Sequence, residues 1–199
     1  MLKSDPKFMA CLVGKMITQL MAILFNIYML LWITSFVDSG LMKDEAEGKV
    51  LYQSIIVFSF VFVALLTPVF GVIADKLPGA VIVPITFALR CVIGFNFLQI
   101  EDPRLPWSII ICCLYVIISL QMNISVETLF LKGIPADIRG TMLGLFWFFA
   151  MLGILLFTVI GGNLYDRVGP AAPFGGLLVV DGLFFVVMSL LGLCGLIKE

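Results

Sequence analysis

Six long apolar stretches, separated by short polar breaks, make up most of the chain. They run over about 10–37, 51–74, 80–99, 107–131, 141–162 and 174–197. Each supplies the ~20 mostly apolar residues a helix needs to cross a bilayer. Helix is the expected form, because unpaired backbone groups in lipid cost several kcal/mol each. The breaks carry turn chemistry: Asp38-Ser39-Gly40, Leu77-Pro78-Gly79, Asp102-Pro103, Ile134-Pro135 and Gly169-Pro170. The first stretch is too long and too polar for a secretory signal peptide and has no cleavage site, so it is read as mature structure.

Composition agrees with this pattern. The chain of 199 residues is 62% hydrophobic and 13% charged, with a mean hydropathy of +1.18. Soluble domains carry about 25% charged residues, so the solvent for most of this surface is membrane lipid. A net charge of −1 offers no basic field for nucleic acid. The chain has no histidine, which removes the commonest metal ligand and general base. Cys11, Cys91, Cys112, Cys113 and Cys194 lie in or beside apolar stretches without metal-ligand spacing and are read as small packing residues. No metal, no cofactor and no enzyme activity are expected, since no nucleophile–base constellation is present.

The stretches also repeat. Gly71-Val72-Ile73-Ala74-Asp75-Lys76 and Gly162-Asn163-Leu164-Tyr165-Asp166-Arg167 both read Gly, three residues, Asp, base, ninety-one positions apart. Three crossings fill that offset, and an odd number puts the copies on opposite faces of the membrane. This predicts a single domain over 1–199, built as a 3+3 inverted repeat of about 10–99 and 101–197, an arrangement common in transporters. Six crossings place both termini on one side. That side holds Lys3, Lys7, Lys76, Lys132, Arg139 and Lys198, against Lys43, Lys49, Arg104 and Arg167 on the other. The positive-inside rule then favours cytoplasmic termini, with the 38–49 loop opposite.

The motif Gly71-x-x-x-Asp75-Lys76-x-x-Gly79 resembles the loop motif of the major facilitator superfamily. The run Pro135-Ala136-Asp137-Ile138-Arg139-Gly140-Thr141-Met142-Leu143-Gly144-Leu145 is similar to that family's start of a half's fifth helix. Gly161-Gly162-Asn163-Leu164-Tyr165-Asp166-Arg167-x-Gly169 is similar to the exit from it. Together they span 71–169, and the helix count extends the likeness to the whole chain. The resemblance implies one six-helix half of a transporter, closer to a C-terminal half because Ala80 and Val81 stand where basic residues are usual. No Gly-Pro pair of the antiporter type occurs in the fifth stretch. The resemblance also implies a cytoplasmic gate at Gly71, Asp75, Lys76 and Gly79.

The residues support a physical reading of their own. Gly71 and Gly162 allow a neighbouring helix to approach closely. Asp75 and Asp166, placed where one helix ends and another begins, can accept from free backbone N–H groups of a helix start. Ionisable groups within spans are functional hypotheses by default, and here they are Lys15, Arg90, Glu127 and Asp181. Lys15, near the start of the first helix, is expected to snorkel to the headgroups. Glu127 is expected to join Asp75, Lys76 and Arg139 in a charge cluster that locks the cytoplasmic end. Arg90 and Asp181 share the repeat offset and a similar depth, and are expected to form an intramembrane ion pair.

Polar uncharged residues outline a candidate cavity. Lys15, Gln19 and Asn26 share one face of the first helix. On the fourth, Gln121, Ser125 and Thr128 share one face, and Ser119, Asn123 and Glu127 the opposite one. A helix polar on both faces does not face lipid. In the resembled family the first and fourth helices line the solute path, which makes Asn26, Gln121, Asn123 and Ser125 the cavity candidates. Asn123-Ile124-Ser125 matches a glycosylation sequon, but it lies within a span and no glycan is expected. The expected function is half of a secondary transporter that moves a small polar solute by alternating access. Its partners would be membrane lipid, the small-molecule substrate and a second half, on the same or another chain. The alternative is a structural subunit of a larger membrane complex.

Overall fold

Cap chemistry sets the helix ends more tightly than hydropathy does. The computed structural model describes residues 6–132 and 134–197. Its helices are α1 Pro6–Thr34, α2 Glu45–Lys76, α3 Gly79–Leu98, α4 Pro106–Lys132, α5 Arg139–Val168 and α6 Ala172–Leu193. All six are long and apolar enough to cross a membrane, and the chain is an integral, multi-pass membrane protein. Lys3 and Lys198, which enter the orientation argument, lie outside the described residues.

Two boundaries differ from the hydropathy reading. α2 begins at Glu45, inside the expected 38–49 loop. There the Asp44 side chain accepts from the Glu47 N–H at 2.9 Å, while the Glu47 carboxylate accepts from the Lys43 N–H at 2.8 Å. This near-reciprocal capping satisfies helix-start donors that hydropathy cannot see. α5 continues past Gly162 and stops at Gly169, whose φ of 135° suits glycine. Asp166 and Arg167 therefore sit in the last turn of α5, just before α6, as Asp75 and Lys76 sit in the last turn of α2.

α1 is interrupted by a π-helical turn at Leu24–Tyr28. A shift to i→i+5 bonding leaves carbonyl capacity spare. Two side chains use it: Asn26 Nδ2 donates to Ala22 O at 2.6 Å, and Tyr52 Oη donates to Phe25 O at 3.0 Å.

α3 packs most closely on α6 and α4, α1 on α5, and α2 on α4. α1 also meets α4, α6 and, through its later part, α2. The core where α1, α3, α4 and α6 meet is aromatic. Phe97 lies 4.6 Å from Trp32, 4.5 Å from Phe174 and 5.5 Å from Tyr115, centroid to centroid. α2 and α5 turn broad apolar faces outward, among them Phe58, Val61, Leu65, Phe148, Leu155 and Val159.

The close helix approach occurs at Gly153 and Gly161, not at the glycines the repeat singles out. A Cβ on Gly153 would lie 2.6 Å from the Met16 carbonyl oxygen, and one on Gly161 would lie 2.9 Å from the Tyr28 hydroxyl. A Cβ on Gly71 would meet nothing within 4 Å, and one on Gly162 only the Tyr28 hydroxyl at 3.8 Å. Gly71 projects from the outward side of α2, so no partner within the chain needs the space.

Candidate functional site

The four ionisable residues expected within the apolar stretches, Lys15, Arg90, Glu127 and Asp181, form two ion pairs. Arg90 on α3 and Asp181 on α6 are both buried where those helices pack. Arg90 Nε donates to Asp181 Oδ2 at 2.6 Å and Nη2 donates to Oδ1, a two-pronged contact. The guanidinium also lies 5.5 Å from the Phe87 ring centre. Arg90 Nη1 is buried without a hydrogen-bond partner.

The second pair departs from expectation at both ends. Lys15 does not snorkel: it is fully buried between α1, α4 and α5. Its ammonium donates to Asn123 Oδ1 at 3.0 Å and to Glu127 Oε2 at 3.3 Å. It also sits 4.2 Å from the Trp147 ring centre and 4.9 Å from that of Phe146. A cation held away from headgroups needs a counter-charge at its own depth, and Glu127 supplies it. Glu127 is thus committed to α1 and does not join Asp75, Lys76 and Arg139. Among the described residues, no salt bridge involves any of those three.

Asn123 is the centre of this site. Its Oδ1 accepts from Lys15, from Thr18 Oγ1 at 3.2 Å and from Gln19 Nε2 at 3.5 Å. Three converging donors fix the amide's orientation and turn its NH2 away from Lys15. One turn further along lies a cleft of about 240 Å³ between α1, α2 and α4. Thr18, Gln19, Asn26, Ser119 and Asn123 bring polar groups to its α1 and α4 sides, interspersed with Met21, Phe25, Val116 and Leu120, and Ile56, Phe60 and Val63 form its apolar α2 side.

Of the four cavity candidates, Asn26 and Asn123 line this cleft. Gln121 and Ser125 do not. They are buried on the other side of α4, where Gln121 Nε2 donates to Ser125 Oγ at 3.1 Å and Ser125 Oγ donates to Gln121 O at 2.8 Å. These bonds stay within one helix, and among the described residues Gln121 Oε1 is buried without a hydrogen-bond partner; the shared-face pattern could not distinguish this from a cavity wall.

The candidate gate motif is organised by a residue the sequence did not single out. Lys132, at the end of α4, donates to the carbonyls of Ala74, Asp75 and Leu77 at 3.1, 3.2 and 3.4 Å. Its charge thus caps the C-terminus of α2, where the helix dipole favours a cation. Lys76 is the last residue of α2, Gly79 the first of α3 and Arg139 the first of α5. Arg139 Nη2 reaches Ile134 O at a long 3.4 Å. Thr18, Trp147 and Lys132 are thus the site residues that sequence reasoning passed over, and Lys15 the one it assigned to the headgroups. The one signal available was that Lys15 shares a helical face with Gln19.

The chain is similar to the magnetosome protein MamH of Paramagnetospirillum magneticum (strain ATCC 700264 / AMB-1). The two are 28% identical over 184 residues, which is 87% of this chain and 40% of that protein. The chain therefore spans less than half the length of this relative. No family model matches the chain, and no solved structure matches it. The expected membership of the major facilitator superfamily is corrected by these findings. The relative found is a distant magnetosome protein, and no model of the superfamily recognises the chain. The motifs behind the resemblance are Gly, Asp and basic residues, which are common at membrane-helix ends. Here Gly71 packs on no helix.

Proposed function

We propose that this chain is a transporter-like membrane protein, one six-helix unit of a secondary transporter for a small polar solute. The observation that carries this reading is the cleft between α1, α2 and α4. Asn26 is exposed there within a membrane span, and Gln19 and Asn123 are partly so. Amides facing hydrocarbon would each cost free energy, so such a wall suits water and solute. One unit encloses only one side of a path. A second unit, from another copy, another chain or a further part of the same chain, completes it, and alternating access then follows from rocking of the two about the cleft. That the chain covers under half of MamH supports the need for a further unit.

The 3+3 inverted repeat belongs to this proposal. It is supported by the packing of α1 on α5 and of α4 on α2, pairs that exchange of the two halves would interconvert. Cytoplasmic termini are proposed with it, on the basic-residue count.

Two measurements test the reading. Native mass spectrometry in mild detergent should find the chain paired with a second copy or a second six-helix unit. Cysteines replacing Lys43 and Lys76 should label with an impermeant reagent from opposite sides of sealed vesicles, and Asn26→Cys should label from the aqueous phase. An Asn26→Cys protein that only lipid-soluble reagents reach refutes the solute path. Stable co-purification with many unrelated subunits would replace transport with a structural role.

A further inference from the structure

Neither Lys15 nor Glu127 lines the cleft, but Asn123 does and accepts from Lys15, and this adjoining ion pair has an asymmetry that bears on the class of solute; the inference rests on the transport reading above. Lys15 is fully buried, whereas a third of the Glu127 side chain is exposed. The lysine is held on several sides, by the Trp147 and Phe146 rings and by Asn123 Oδ1. Among the described residues, the polar contact that holds Glu127 to this site is the one with Lys15, at 3.3 Å. The carboxylate can therefore leave without disturbing helix packing, and the ammonium cannot. Its departure would leave a buried cation unpaired, which is costly unless another anion takes its place.

We propose that Lys15 is the binding cation for an acidic solute, one bearing a carboxylate or a phosphate, and that Glu127 is the built-in competitor the solute displaces. The lysine stays in its aromatic setting, and the ion pair exchanges one anion for another. Glu127 then keeps Lys15 neutralised while the cleft is empty.

Trp147 provides the readout, since its ring lies 4.2 Å from the ammonium. The experiment uses the full chain in nanodiscs, with Trp32→Phe and Trp107→Phe so that Trp147 alone reports. Succinate and inorganic phosphate are titrated, with choline chloride as the opposite-charge control, in phosphatidylcholine discs and in discs containing phosphatidylglycerol. At least one soluble anion should give a saturable change in Trp147 emission. Glu127→Gln should bind that anion roughly tenfold more tightly, as expected when a charge-assisted competitor is removed. Lys15→Met should abolish the change, and choline should produce none.

The proposal is overturned if neither anion gives a saturable change with Glu127→Gln. It is equally overturned if Lys15→Met binds as well as the parent, if choline is the ion that binds, or if the signal follows phosphatidylglycerol content instead of the soluble anion. Glu127→Gln leaves all of the lysine's other contacts in place, so the test survives if Lys15→Met does not fold. Loss of anion binding with Asn26→Cys still labelled from water refutes this inference alone; loss of that labelling refutes the path itself.

Discussion

Replacing Arg90 by leucine should be among the most damaging single changes in this protein, and replacing Asp181 as well should repair much of the harm. In the native pair, two N–H groups of Arg90 meet two oxygens of Asp181, and both side chains are buried where α3 packs on α6. Arg90→Leu leaves the Asp181 carboxylate with no counter-charge. Insertion scales put a lone charge at mid-membrane at about 2.5–3.5 kcal/mol, and breaking a buried pair costs about 3–5 kcal/mol. The double replacement removes both charges. It also removes the unpartnered Arg90 Nη1, a group of the kind that costs about 1–3 kcal/mol when buried. The double mutant should therefore lie within about 1–2 kcal/mol of the parent, because apolar replacements of buried pairs are often near neutral. Reversible unfolding in mixed micelles, run as a double-mutant cycle, measures this directly. Losses that simply add in the double mutant would refute the reasoning, since they would mean that the two charges do not compensate each other.

Other sites give contrasting expectations. Gly153→Val should push α1 from α5 and cost about 1–3 kcal/mol or more, because the Met16 backbone cannot yield, while Gly71→Ala should stay within about 0.5 kcal/mol; equal effects in thermal unfolding would contradict the packing described. Lys132→Met should loosen the last turn of α2 by about 1–2 kcal/mol, visible as faster amide hydrogen exchange over residues 73–76, and unchanged exchange there would mean the cap is idle. In the loop between α3 and α4, hydrogen bonds from Arg104 hold the Asp102 carboxyl below the usual carboxylate range. A depressed value means its stabilising contribution is present above the ordinary carboxylate range and is lost as pH falls through the depressed one. Arg104→Gln should therefore move the Asp102 titration, followed by carboxyl carbon NMR, upward toward its ordinary position.

The membrane class, the number of helices and their approximate limits were legible in the chain because each depends on local composition. A run of about 20 apolar residues has one cheap solution in lipid, whatever surrounds it. The Arg90–Asp181 contact could also be anticipated, since two lone charges at similar depth have few other places to go. The Lys15 site could not. Snorkelling and burial are both open to a lysine near a helix end, and only the arrangement of α4 and α5 around α1, with Glu127, Asn123 and Trp147 at one level, decides between them. The same holds for the glycines. Gly71 and Gly153 look alike along the chain, yet only Gly153 faces a crossing backbone. Gln121 and Ser125 bond to each other away from the cleft and Asn123 opens on it, because helix rotation is set by packing against neighbours. Local chemistry determines which segments become helices; which side chains meet is a property of their three-dimensional arrangement.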